Sequence, residues 1–77
     1  MQNGFVYPEF NKGNLELRFE NDTVCIYGTA QGLERLAALC LSLVKRPGQG
    51  HLHLEDDNTL LTKKSVRGAI AIFDETT

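Results

Sequence analysis

The sequence predicts a two-layer α+β domain of order ββαββ, with one amphipathic helix packed on a four-stranded sheet. Three observations carry this. Apolar and polar residues alternate over 14–20 and 23–28, the period of half-buried strands. From Thr29 to Lys45 a 3.6-residue period takes over, and alternation then returns over 51–55 and 65–74.

The first strand is "NLELRFE", in which Leu15, Leu17 and Phe19 oppose Glu16, Arg18 and Glu20. Asn21 and Asp22 supply turn chemistry, because short polar side chains bond their own backbone and tolerate left-handed dihedrals. "TVCIYG" resumes the alternation with Val24 and Ile26 on one face and Cys25 and Tyr27 on the other, which completes a hairpin. Thr29 suits the helix N-cap, where its hydroxyl accepts from an unpaired first-turn amide. Leu33, Leu36, Ala37, Cys40, Leu43 and Val44 then fall on one stripe, opposite Glu34, Arg35, Ala38, Ser42 and Lys45. Lys45 and Arg46 favour the negative end of the helix dipole, and Pro47-Gly48 stops the helix.

"HLHLE" follows as a third strand, with Leu52 and Leu54 opposing His51, His53 and Glu55. Residues 56–65 read as a polar connection that contains the basic island "LLTKKS". In the last strand Val66, Ile70 and Ile72 oppose Arg67, Ala69, Ala71 and Phe73. Residues 14–77 make one domain, and 1–13 an N-terminal arm in which "FVY" is a short edge strand stopped by Pro8. Strand order stays open: the second and third strands are parallel neighbours, or the third pairs with the first.

With 77 residues the chain buries only ~60% of its unfolded surface, which leaves little room for a deep, dry pocket. Its net charge of −2 offers no electrostatic footprint for nucleic acid. The apolar run 33–44 is too short and too interrupted to span a bilayer. "MQNGFVYPEF" has no basic region followed by an apolar run, so no secretory signal is expected, and a cytoplasmic location is. Cys40 falls on the helix stripe facing the sheet and reads as a small core residue, while Cys25 points away, so the two are not expected to pair.

The face the helix leaves open carries Tyr27, His51, His53, Glu55, Arg67 and Phe73, together with Glu16, Arg18, Glu20, Cys25, Ala69 and Ala71. Mixed aromatic, arginine and histidine surfaces suit recognition. The plain alternative is that antiparallel sheets routinely show water a polar face. His51, His53 and Glu55 share a strand face and would suit zinc. No further ligand at metal spacing accompanies them, so neither metal nor cofactor is expected. Acid–base chemistry needs groups converging in a site. Glu55, Asp56 and Asp57 crowd one strand end instead, and no catalytic residue is assigned.

The stretches "YGTAQGLERLAALCLSLVK" and "GQGHLHLEDDNTLLTKKSVRGAIAIFD" carry a resemblance. Gly28, Gly32, Leu33, Leu36 and Ala37, then Gly50, His51, His53 and Leu54, then Leu61, Thr62 and Ser65 resemble the pattern of the immunity proteins of bacterial polymorphic toxin systems, immunity protein family 32. The likeness spans 14–74 and departs at Arg67 and Gly68, where acidic and bulkier residues would be expected. It implies a non-enzymatic protein that binds and neutralises a cognate toxin in the producing cell. No contact residues come with it, so the surface nominates them. "HLHLEDD", with His51, His53, Glu55, Asp56 and Asp57, would supply acidic contacts, and Tyr27, Arg67 and Phe73 would anchor the sheet face. Many such toxins are nucleases with basic grooves, which an acidic surface pairs with readily. Two alternatives remain open: a metal-assisted enzyme or metal-binding module using His51, His53 and Glu55, and a homodimer formed through the open sheet face that carries Ala69, Ala71 and Phe73, or through an edge strand.

Overall fold

A computed structural model describes residues 13–73. The arm, apart from Gly13, and residues 74–77 lie outside the described residues. The chain is α+β. β1 (Leu15–Glu20) and β2 (Thr23–Gly28) precede one helix, α1 (Ala30–Lys45), which is followed by β3 (His51–His53) and β4 (Ala69–Ala71). Short 3-10 turns at Pro47–Gln49 and Leu54–Asp56 flank β3.

The hairpin forms as its sequence dictates. β1 and β2 pair antiparallel from Leu15↔Gly28 to Glu20↔Thr23, leaving Asn21 and Asp22 as a two-residue turn. Both have positive φ, 52° and 60°. That is the twist-compatible turn that short polar residues tolerate.

The helix begins where expected, with the Gly32 amide donating to Thr29 Oγ1 at 3.0 Å. Its rotation differs from the expected one. The line turned inward is Gly32, Leu36, Leu39 and Leu43, whereas Leu33, Ala37, Cys40 and Val44 face out. Gly32 supplies the reason. It packs on the backbone of Asn14, so closely that a methyl there would lie 2.7 Å from the Asn14 carbonyl carbon and nearer still to its oxygen. Only a residue without Cβ lets the first turn come this near, and that contact fixes which line faces in. Arg35 reinforces the rotation by donating to Gly13 O at 2.8 Å and to Asp57 Oδ2 at 2.7 Å. Cys40 is therefore exposed rather than in the core, and both cysteines are free thiols.

The four strands form two two-stranded sheets, β1–β2 and β3–β4, instead of the single four-stranded sheet expected. Residues 60–66 prevent the merger by occupying the outer edge of β1. The Leu15 amide donates to Leu60 O and the Thr62 amide to Leu15 O. The Leu17 amide donates to Ser65 Oγ, and the Val66 amide to Leu17 O. Residues 56–65 are thus no mere polar connection. Leu60 is fully buried and joins Leu15, Leu17 and Leu54 in the core, with Leu36, Leu39 and Leu61 packed around them. β3 ends two residues early because the chain coils into the 3-10 turn after His53, and Val66 is exposed rather than inward.

Two further reversals concern the hairpin. Glu16, expected on the wet face, is 1% exposed because the 60–66 strap lies over it. Phe19, Val24 and Ile26, expected inward, are 65%, 72% and 51% exposed. The helix covers the apolar face only near Leu15 and Leu17, leaving the turn end of the hairpin bare.

Candidate functional site

β3 pairs antiparallel with β4 in the register His51↔Ala71, Leu52↔Ile70, His53↔Ala69. Backbone bonds from Leu54 N to Gly68 O and from Ile72 N to Gly50 O extend this pairing at either end. Leu52 and Ile70 turn toward the interior, whereas His51, His53, Ala69 and Ala71 stand on the exposed face. Alanine directly across from each imidazole leaves the rings open to solvent. The two rings meet edge to face, 5.0 Å between centroids. Phe73, 85% exposed, follows just beyond β4.

The 3-10 turn after β3 swings Glu55 back toward His53, placing Oε2 at 3.5 Å from Nδ1. That distance is too long for a strong hydrogen bond, and the contact becomes an ion pair only when His53 is protonated. Glu55 Oε1 is enclosed without a hydrogen-bond partner among the described residues. Among the described residues no three His, Cys, Asp or Glu side chains are grouped as a metal ion would require. Asp56 is exposed. Asp57 is committed within the fold: it accepts from the Thr59 amide at 3.0 Å, the Thr59 hydroxyl at 2.7 Å and Arg35 at 2.7 Å. Those Thr59 bonds, with Arg35 beside them, hold its carboxyl below the ordinary aspartate value.

Tyr27 lies in the other sheet and belongs to a different constellation. Its hydroxyl donates to Glu20 Oε1 at 2.9 Å, and the Arg18 guanidinium lies 5.3 Å from its ring centre. Arg18 bridges Glu16 at 2.6 Å and Glu20 at 3.1 Å, and the Thr62 hydroxyl donates to Glu16 at 2.6 Å. Burial would raise the Glu16 pKa, but the Thr62 and Arg18 hydrogen bonds and the Arg18 charge prevail and lower it. Burial and the Glu20 carboxylate push the Tyr27 phenol up. This network ties the hairpin's polar face to the strap. Of the residues nominated from the sequence, then, the fold gathers His51, His53 and Glu55 on one flank of β3. Phe73 and the exposed Arg67 lie on the chain at either side of β4, and Tyr27 stands apart.

A second surface was not singled out by sequence. Val24 and Ile26 alternate on one face of β2, and Phe19 pairs across from Val24. Gly28 continues that face, and the Leu33 side chain leans over it, 3.0 Å from where a Cβ would be. Leu33 then leads along α1 to Ala37, Cys40, Leu41 and Val44, all exposed. The signal for it in the sequence is a second apolar line at helical spacing, Leu33, Ala37, Cys40 and Val44, which periodicity alone places in the core.

Comparison with protein-family models, curated proteins and solved structures finds no match for this chain. No described helix is long and apolar enough to cross a membrane.

Proposed function

We propose that this chain is a non-enzymatic binding module that captures another protein. It would act in the manner of an immunity protein that neutralises a toxin made in the same cell. The observation that carries the reading is the exposed β3–β4 face, where His51 and His53 stand across from Ala71 and Ala69 and the exposed Phe73 follows just beyond. Rigid aromatic groups on a short, well-registered sheet anchor an interface at low entropic cost. Glu55 and Asp56 at the end of β3 add negative charge, which steers a cationic partner such as a nuclease groove. Arg67 lies just before β4 and belongs to the same set. Asp57 serves as a brace for the 57–60 turn through Arg35 and Thr59, and Tyr27 as a strut of the hairpin.

The test is capture and neutralisation of the toxin domain encoded beside this gene. The wild-type chain is expected to bind it and to restore growth of cells that express it. The H51A/H53A/F73A variant is expected to lose at least tenfold in affinity with its fold intact. Association is expected to slow as salt rises. A wild-type chain that neither binds nor protects ends the proposal.

A further inference from the structure

We infer that the bare shoulder formed by β2 and α1 is a self-association surface, where a second copy pairs antiparallel to the outer edge of β2 about a two-fold axis. This is independent of the β3–β4 reading above and uses a different face. Its first support is the state of the edge. Main-chain groups of Leu15 and Leu17 point away from β2, because they bond residues 60, 62, 65 and 66. In an antiparallel ladder both members of such a pair face outward, so their partners Gly28 and Ile26 turn amide and carbonyl to the opposite, open edge. Among the described residues no strand pairs there.

That edge also lacks the usual protection. "TVCIYG" contains no charge and no proline, and its register with β1 runs without a bulge. Long apolar edges without these devices pair with another strand.

The second support is area. Phe19, Val24, Ile26, Leu33, Leu41 and Val44 are each 45–72% exposed. Together with Ala37 and Cys40 they present roughly 700 Å², close to the ~800 Å² per partner of a standard interface. A two-fold axis through β2 makes one continuous four-stranded sheet from two hairpins. With Leu33 leaning over Gly28 at that edge, the same operation covers Leu33, Val24 and Ile26 of both copies. A third support is the thin core: a domain this small with both thiols free gains stability most simply by association.

Sedimentation equilibrium of the full chain, from about 1 to about 100 μM, tests this in the affinity range that area permits. The expected result is a monomer–dimer equilibrium with a Tm that rises with concentration. Amide exchange at Val24 and Ile26 is expected to slow at least tenfold where the dimer dominates. The I26K variant is expected to stay monomeric with its helical circular dichroism retained. A monomer throughout the range overturns the inference, whether its patch is found covered by the chain's own arm or open to an unlike partner. So does a dimer in which exchange at Ile26 is no slower than in the monomer. The last readout uses the wild-type chain, so it stands even if I26K fails to fold.

Discussion

Replacing Gly32 by alanine sets two effects of opposite sign against each other. Within a helix, alanine is favoured over glycine by about 1 kcal/mol. By propensity alone G32A, two residues inside the N-terminus of α1, is stabilising. The structure predicts the reverse. The new methyl would enter the Asn14 backbone, 2.7 Å from its carbonyl carbon. Backbone cannot rotate aside as a side-chain tip does. Either the first turn lifts or β1 shifts, and overpacking of this kind costs ~1–3 kcal/mol. Lifting also strains the Thr29 cap on the Gly32 amide, worth ~1 kcal/mol. The net expectation is a loss of ~1–3 kcal/mol. In a urea titration with a slope near ~1 kcal/mol/M, typical of a small domain, that lowers the midpoint by at least ~1 M. Gly48 is the control: nothing lies within 4 Å of a Cβ there, so G48A is expected to change stability by no more than about 0.5 kcal/mol. If G32A matches or exceeds the wild type, the account of why α1 presents Leu36, Leu39 and Leu43 inward is refuted.

The remaining predictions concern the strap, the carboxylates and the cap. Leu60 is fully buried, so L60A is expected to cost ~2–5 kcal/mol, comparable to the whole stability of a small domain; L60M is expected to retain the fold, and thermal melts compare them. The folded-state pKa of Glu16 is depressed below 4.5. The unfolded chain therefore takes up this proton first on acidification, and the stability present above pH ~4.5 is lost as pH falls through the folded value. Glu20 and Asp57 are depressed too and contribute in the same direction. E16Q is expected to flatten this acid limb without abolishing it, as urea midpoints between pH 3 and pH 6 would record; an unchanged limb would show that Glu16 does not contribute. T29A removes an acceptor shared by the Gly13 and Gly32 amides, both at 3.0 Å, and is expected to lose ~1–2 kcal/mol, whereas T29S retains most of it.

What could be read in the sequence was whatever local chemistry decides. The Asn21-Asp22 turn, the strand alternation on both sides of it, the Thr29 cap and the stop at Pro47 all follow from residues within a few positions of one another. The rotation of α1 did not, because two apolar lines at helical spacing compete in 30–45. The contact that chose between them joins Gly32 to Asn14, and hydrophobicity assigns glycine no preference. Leu60 and Glu16 depart from their expected places for one reason. A segment whose polar composition predicts a loop lies along β1, burying the leucine and covering the carboxylate. Of the candidate site, the exposure of His51, His53 and Phe73 was legible from alternation alone. That Asp57 is spoken for by Arg35, and Tyr27 by Glu20, depends on neighbours far away in the chain.

The strap also orders events in time. Hairpin and helix draw on residues 15–45, so in a chain emerging from the ribosome all of their residues are available before the strap is, while either element alone is marginal in water. Yet Glu16 waits for Thr62, 46 positions later, and the outer edge of β1 waits for residues 60–66. Until that stretch emerges, Leu15 and Leu17 have only the helix to pack against, and their main-chain groups are paired with water. Closing so long a loop is the entropically demanding step, with its reward deferred to the end. During that interval the β1–β2 hairpin presents two open edges where the folded chain, among the described residues, leaves it one, and its neighbours on the same polysome are its nearest templates.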